Sequence, residues 1–254
     1  MREAMYKDQV IYGIHPVEEL LKTRITSIDH VYFEQDRKSA QLFELLKICR
    51  KERLSYNLVP EIRMQQLSGT RRHQGIAAQC SVLPYAEMSD IETRIAEKRS
   101  PLIVVPASIE DPGNLGAIIR SAVAFDVDAL LLERKNTAPL NAAVAKSSAG
   151  MVEHLSVARP KNLEGIIGGL AEKGYAVIGA DMKKGRPPQE IRLTGPVILV
   201  LGGEHRGLPP YLSKVCTDFV SIPMSSTVES LNVSASAAIL LYEIARQRSM
   251  APPA

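Results

Sequence analysis

Val197-Ile198-Leu199-Val200-Leu201-Gly202-Gly203-Glu204-His205-Arg206-Gly207-Leu208 joins five apolar residues to two glycines and an acid. A short apolar run closed by glycine reads as a strand buried on both faces. Similar runs occupy residues 102–105, 129–132 and 176–179, with helical stretches between them. Apolar strands alternating with helices predict an α/β fold with a mostly parallel sheet covered on both sides. Open sheets of this kind bind ligands beyond the carboxyl ends of their strands. Gly202 and Gly203 would let a ligand approach the backbone there. The plain alternative is a glycine-rich turn with a surface Glu204.

Two further loops follow the same logic. Glu110-Asp111-Pro112-Gly113-Asn114-Leu115-Gly116-Ala117-Ile118-Ile119-Arg120 comes just after the strand at 102–105. Pro112 and Gly113 predict a turn, Asn114 a helix cap, and Arg120 a guanidinium near a helix start, suited to an RNA phosphate. A cap and a solvated arginine would leave the same pattern. Ser221-Ile222-Pro223-Met224 reads as a short extended segment. It passes through a Ser/Thr-rich loop into Ser230-Leu231-Asn232-Val233-Ser234-Ala235-Ser236, the start of a helix reaching about Gln247. Ser230 or Asn232 would cap that helix. Its small residues suit close packing against another element or a cofactor.

The first third of the chain reads as a smaller α/β domain over residues 1–84. Helical periodicity follows His15-Pro16, residues 30–34 form a strand, and residues 39–53 form an amphipathic helix with Leu42, Leu45, Leu46 and Cys49 on one face. An extended stretch at 55–59, a short helix at 61–67 and a closing strand at 75–83 complete it. Residues 85–100 are expected to be a linker carrying an exposed helix capped by Ser89, a tether rather than part of a core. The larger domain then spans 101–254. Net charge is +3. Lys and Arg number 13 against 10 acids in residues 1–84, 3 against 4 in 85–100, and 15 against 14 in 101–254. The excess lies in the first domain, at Arg50, Lys51, Arg53, Arg71 and Arg72. Such clusters attract phosphate backbones, although a basic helix face is often merely solvated.

Several classes are excluded. The three cysteines lack CxxC spacing and the five histidines are scattered, so no disulfide framework and no metal site is expected. There is no P-loop, no strand-linked GxGxxG and no Gly-x-Ser-x-Gly. The first residues lack a signal-peptide core and no apolar run reaches the ~20 residues of a membrane span. A soluble, cytoplasmic protein is expected.

Taken in order, Asn114-x-Gly116-x-x-x-Arg120, Gly202-x-Glu204 and Ser230-Leu231-Asn232-Val233 resemble the three motifs of the SpoU (TrmH) family of RNA methyltransferases. The likeness covers about residues 101–249. Tyr12-Gly13-x-His15-Pro16 and His73-Gln74-Gly75-Ile76 resemble that family's accessory RNA-binding domain, which is built like certain ribosomal proteins. The resemblance implies a trefoil-knotted domain that binds S-adenosylmethionine and a homodimer formed through that domain. It implies transfer of a methyl group to a ribose 2′-hydroxyl, with a guanosine of large-subunit ribosomal RNA as the target. Asn114, Arg120, Glu204, Ser230 and Asn232 match functional positions. Leu201, Gly202, Gly203, Ile222, Met224 and Leu231 fall where the family holds its cofactor. Arginine is a poor general base, so Arg120 is read as a phosphate clamp, with Glu204 and Asn114 orienting it or the loops. Two rival readings are a transfer-RNA 2′-O-methyltransferase and a non-catalytic RNA-binding protein with a decayed methyltransferase domain.

Overall fold

The structure, a computed structural model, describes residues 9–81, 83–203 and 207–250. Contacts divide the chain into two units, one up to Tyr85 with Pro139–Ala142, the other holding Ala86–Ala138 and the chain from Ala143.

The first unit runs β1 (Gln9–Tyr12), α1 (Ile14–Thr23), β2 (Ile28–Glu34), α2 (Ala40–Lys51), β3 (Tyr56–Val59), α3 (Glu61–Ser68) and β4 (Ile76–Cys80). Its sheet has the order β1-β4-β2-β3; β4 is antiparallel to β1 and β2, and β3 is parallel to β2. Ser39 caps α2, its side chain accepting from the Leu42 N–H. The buried face of α2 carries Leu42, Leu45 and Cys49, as its periodicity predicts, with Leu46 partly buried. They pack with Val17, Val31, Phe33 and Ile76 in one aliphatic core. Burial pushes the Cys49 thiol up to about 12 and the Cys80 thiol to about 11, so both stay protonated and unreactive at neutral pH. Residues 139–142 join this unit, where the Leu140 N–H donates to Tyr85 Oη at 3.1 Å and the Tyr85 hydroxyl donates to Asp29. Local sequence carries no sign of that excursion.

The second unit contains α4 (Met88–Ala96), β5 (Leu102–Pro106), α5 (Pro112–Ala124), β6 (Ala129–Leu131), α6 (Ala142–Ser147), β7 (Ser156–Ala158), α7 (Leu163–Glu172), β8 (Ala176–Ala180), β9 (Val197–Leu201), α8 (Pro210–Val215), β10 (Asp218–Val220) and α9 (Val233–Met250). The six strands run parallel in the order β10-β8-β9-β5-β6-β7. β9 lies near the middle and all five of its residues are buried, as its apolar run requires. Among the described residues no helix is long and apolar enough to cross a membrane.

Three expectations are corrected. Residues 85–100 are not a tether. Ile91 and Ile95, one turn apart on α4, are buried in the core of the second unit with Ile103, Val105 and Leu163. Ser89 does not cap that helix; Glu87 occupies the cap position without a side-chain bond. Asn114 does not cap α5. Pro112 takes the first helical turn, where its missing N–H costs nothing, so the cap moves back to Asp111, whose Oδ2 accepts from the Asn114 N–H at 2.7 Å.

The last turns of α9 are anchored. Gln247 Nε2 donates to the carbonyls of Pro188 and Ile191, and Arg248 Nη2 donates to that of Gly195 at 2.9 Å. Glu243, buried on the same helix, is held by two bonds from Arg246, which keep its carboxyl below the usual range. These contacts hold α9 so that its amino end meets the carboxyl ends of the strands.

Candidate active site

β8, β9 and β10 are neighbours and parallel, so their carboxyl ends lie side by side. A cavity of about 460 Å³ opens there. It is walled by Ala180 to Lys183 at the end of β8, by Leu201 to Gly203 at the end of β9, and by Val220 to Ile222 and Met224 at the end of β10. Gly207, Leu208, Ser230, Leu231 and three residues of α9 (Val233, Ser236 and Leu240) complete the lining. Thus Leu201, Gly202, Gly203, Ile222, Met224 and Leu231 all meet in one cavity, and Ser230 joins them. Ala180 to Lys183, Ser236 and Leu240 were not anticipated. The strand before Asp181 is legible, but its place beside β9 depends on strand order, which local pattern does not carry.

Gly202 also meets a backbone constraint that the sequence did not indicate. A Cβ there would lie 2.3 Å from Gly207 C and 2.4 Å from Leu208 N. The chain's own backbone folding back on itself therefore requires glycine here, while Gly202 also lines the cavity.

The first and third motifs meet through a side-chain bond. Asn232 Nδ2 donates to Asn114 Oδ1 at 2.9 Å. Asn232 Oδ1 also accepts from the Ser234 N–H at 2.9 Å, so it caps α9 as expected. One residue therefore starts α9 and ties it to α5. Asn232→Ala is expected to cost about 1 kcal/mol of stability through the lost cap and to lower activity further by removing its bond to Asn114. Thermal melting together with turnover checks this, and normal values for both would show that the tie is idle. Arg120 lies on α5, exposed, with no hydrogen bond or ion pair among the described residues, so its guanidinium is free to meet an anion. Glu204 lies outside the described residues. Behind the β8 loop burial raises the Cys216 thiol to about 11, so it is held protonated at neutral pH.

The described basic residues of the first unit are exposed but do not form one patch. Arg50, Lys51 and Arg53 precede β3, whose first residue, Tyr56, pairs with Val31. Arg71 and Arg72 precede β4, whose first residue, Ile76, pairs with Phe33 and runs the other way. The two clusters therefore flank opposite ends of β2. Arg50 is engaged locally, donating to the Tyr56 hydroxyl at 3.0 Å. The end with Arg71 and Arg72 also gathers the other family-like segment: the Gly13 N–H donates to the Ile76 carbonyl at 3.1 Å and the Ile14 N–H to Gln74 Oε1 at 2.8 Å.

A parallel sheet with a cavity at three adjacent strand ends, walled by all three motif loops or tied to them, defines a nucleotide-type cofactor site. Residues 101–242 match the SpoU rRNA methylase family and residues 10–86 match the RNA 2′-O ribose methyltransferase substrate-binding domain. The chain belongs to the SpoU family of RNA 2′-O-methyltransferases. The 23S rRNA (guanosine-2′-O-)-methyltransferase RlmB of Ralstonia nicotianae is 33% identical over 250 residues, 98% of this chain and 99% of that protein. RlmB of Vibrio parahaemolyticus is 31% identical over 241 residues, 95% of this chain and 98% of that protein. The SpoU methyltransferase AviRb from Streptomyces viridochromogenes, solved in complex with AdoMet, shares the fold with a TM-score of 0.60 at 23% identity, covering 96% of this chain and 92% of that one.

Proposed function

We propose that the cavity holds S-adenosylmethionine and that the chain methylates the ribose 2′-hydroxyl of a guanosine in 23S ribosomal RNA. The observation that carries this is the convergence of Leu201, Gly202, Gly203, Ile222, Met224, Ser230 and Leu231 on one cavity at parallel strand ends. Its size lies within the ~300–1,000 Å³ of small-molecule pockets. The residues suit the group: Ile222, Met224, Leu231 and Leu240 offer apolar walls to an adenine, and the exposed backbone of the strand ends offers amides and carbonyls. When bound, S-adenosylmethionine supplies the methyl group. Arg120 binds an RNA phosphate and aligns the 2′-hydroxyl. A guanidinium keeps its proton at neutral pH, so a phosphate oxygen or water takes the hydroxyl proton. Asn114, Asn232 and Ser230 hold the loops around the reacting groups, and Glu204 acts with them.

The near full-length likeness to RlmB proteins, substrate-binding domain included, favours ribosomal over transfer RNA. In the first unit, the end bearing Arg71, Arg72 and the 13–15 segment is assigned to RNA. Replacing Arg71 and Arg72 together by alanine is expected to weaken rRNA-fragment binding and to lower its log–log salt slope by about 2. Replacing Arg50 and Arg53 should change it less, and the reverse ranking would move the RNA to the other end. We further infer that the chain around β9 and β10 is threaded as a trefoil knot. A homodimer would form through exposed Ile239 and Tyr242 of α9, the latter edge-on to Phe125 at 6.2 Å.

The deciding experiment uses methyl-labelled S-adenosylmethionine with 23S rRNA and tRNA transcripts, followed by mapping of methylated riboses. Label at one guanosine of 23S rRNA is expected. Label in tRNA alone would overturn the substrate, and a chain that binds no cofactor would be the decayed methyltransferase.

A further inference from the structure

The cavity is lined by apolar side chains, strand-end backbone and the serines Ser221, Ser230 and Ser236. Among its described lining residues two side chains are charged, Asp181 and Lys183, of opposite sign and two positions apart in the loop after β8. Neither falls in a family-like motif.

The loop is built to hold that part of the lining still. The Asp181 N–H donates to the Val220 carbonyl at 3.0 Å, the Gly185 N–H to the Asp181 carbonyl at 2.9 Å, and the Ser221 N–H to the Arg186 carbonyl at 2.9 Å. Gly185 presses on the end of β10 so closely that a Cβ would lie 2.3 Å from Val220 C. The turn is thus stitched to the strand that delivers Ile222. Inside it, Asp181 Oδ1 accepts from the N–H groups of Lys183 and Lys184 at 2.9 and 3.1 Å, leaving Oδ2 without a hydrogen bond among the described residues.

The loop's other cations are committed elsewhere. Lys184 Nζ donates to Ser213 Oγ at 3.2 Å and sits 5.0 Å from the centre of the Phe219 ring. Arg186 pairs with Asp218. Lys183 is exposed and its ammonium has no partner among the described residues. One carboxylate oxygen and one ammonium therefore remain uncommitted on two neighbouring residues that line the cavity.

We propose that Asp181 and Lys183 recognise the zwitterionic amino-acid end of S-adenosylmethionine, Asp181 taking the α-ammonium and Lys183 the α-carboxylate. This rests on the cavity being the cofactor site. The chemistry favours that end because it alone carries adjacent opposite charges, whereas the sulfonium offers one positive charge and the ribose offers neutral hydroxyls. Charge-assisted bonds to a fixed turn are the stronger kind, and they select against adenosine compounds without the tail.

The test is calorimetric titration of the full chain, wild type, Asp181→Asn and Lys183→Met, with three ligands. S-adenosylmethionine carries tail and sulfonium, S-adenosylhomocysteine carries the tail without the sulfonium, and 5′-methylthioadenosine carries neither. Asparagine keeps the Oδ1 acceptor that the turn needs, and Lys183 is exposed, so both variants should fold. Each is expected to bind S-adenosylmethionine and S-adenosylhomocysteine about tenfold more weakly, with 5′-methylthioadenosine unchanged. Loss by Asp181→Asn on S-adenosylmethionine alone would assign the carboxylate to the sulfonium and overturn the proposal. Equal loss on all three ligands would assign it to the ribose, with the same consequence. If wild type binds and neither variant is affected, the tail lies elsewhere. If wild type binds none of the three, the cavity reading itself fails.

Discussion

Arg120→Ala is expected to slow methyl transfer on the order of 100-fold while leaving melting temperature and S-adenosylmethionine affinity near wild type. Losing a charge-assisted contact costs about 1.5–3 kcal/mol, and each ~1.4 kcal/mol is tenfold in rate. The fold should not notice. Arg120 is exposed on α5, makes no hydrogen bond or ion pair among the described residues, and does not line the cavity. Alanine is also the better helix former. Arg120→Lys should recover only part of the rate, because an ammonium lacks the two-pronged fit to phosphate. Single-turnover methylation at saturating cofactor is the measurement. A rate within threefold of wild type would remove Arg120 from the phosphate contact.

Gly202→Val should act on the cavity through the fold. Its first side-chain carbon would fall 2.3 Å from the Gly207 carbonyl carbon and 2.4 Å from Leu208 N, both backbone atoms that cannot swing aside. One strand of the turn must move, and both strands line the cavity. Overpacking of this kind costs about 1–3 kcal/mol, a drop of roughly 2–10 °C in melting temperature for a chain of this size. S-adenosylmethionine affinity should fall on the order of 100-fold as the wall shifts. RNA binding through the first unit should persist. Gly195→Ala, where a Cβ would meet nothing within 4 Å, is the matched control. Unchanged melting and cofactor affinity in Gly202→Val would mean that the close approach of 202 and 207 does not shape the site.

In the second unit the legible strands are those with continuous apolar runs. β9 begins and ends where its apolar run does, and β5, β6 and β8 lie within a residue of expectation. The unexpected strands, β1, β7 and β10, are all sheet edges of three or four residues. An edge strand has one side without a partner and needs no continuous apolar run, so periodicity has little to register. α4 was misjudged for a different reason. Its charges suggested a solvated helix, yet Ile91 and Ile95 alone, four residues apart, supply the buried stripe.

The cavity divides the same way. Its residues after β9 and β10 could be named from the sequence because glycine, small and apolar residues cluster at strand ends and match a family pattern. Asp181 and Lys183 could not, because nothing local distinguishes them from other surface charges. Nor could the basic clusters be sorted: the antiparallel run of β4 against β2 sends Arg71 to one end of the sheet and Arg53 to the other.

By itself the sequence determined the parallel α/β class, the motif loops and the family, since these rest on which residues are apolar, small or charged along the chain. The tertiary structure alone decided which strand ends are neighbours, why Gly202 must be glycine, that α4 buries Ile91 and Ile95 in a core, and which charged residues line the cavity. Those depend on distances between residues far apart in sequence, and strand order and backbone approach set such distances.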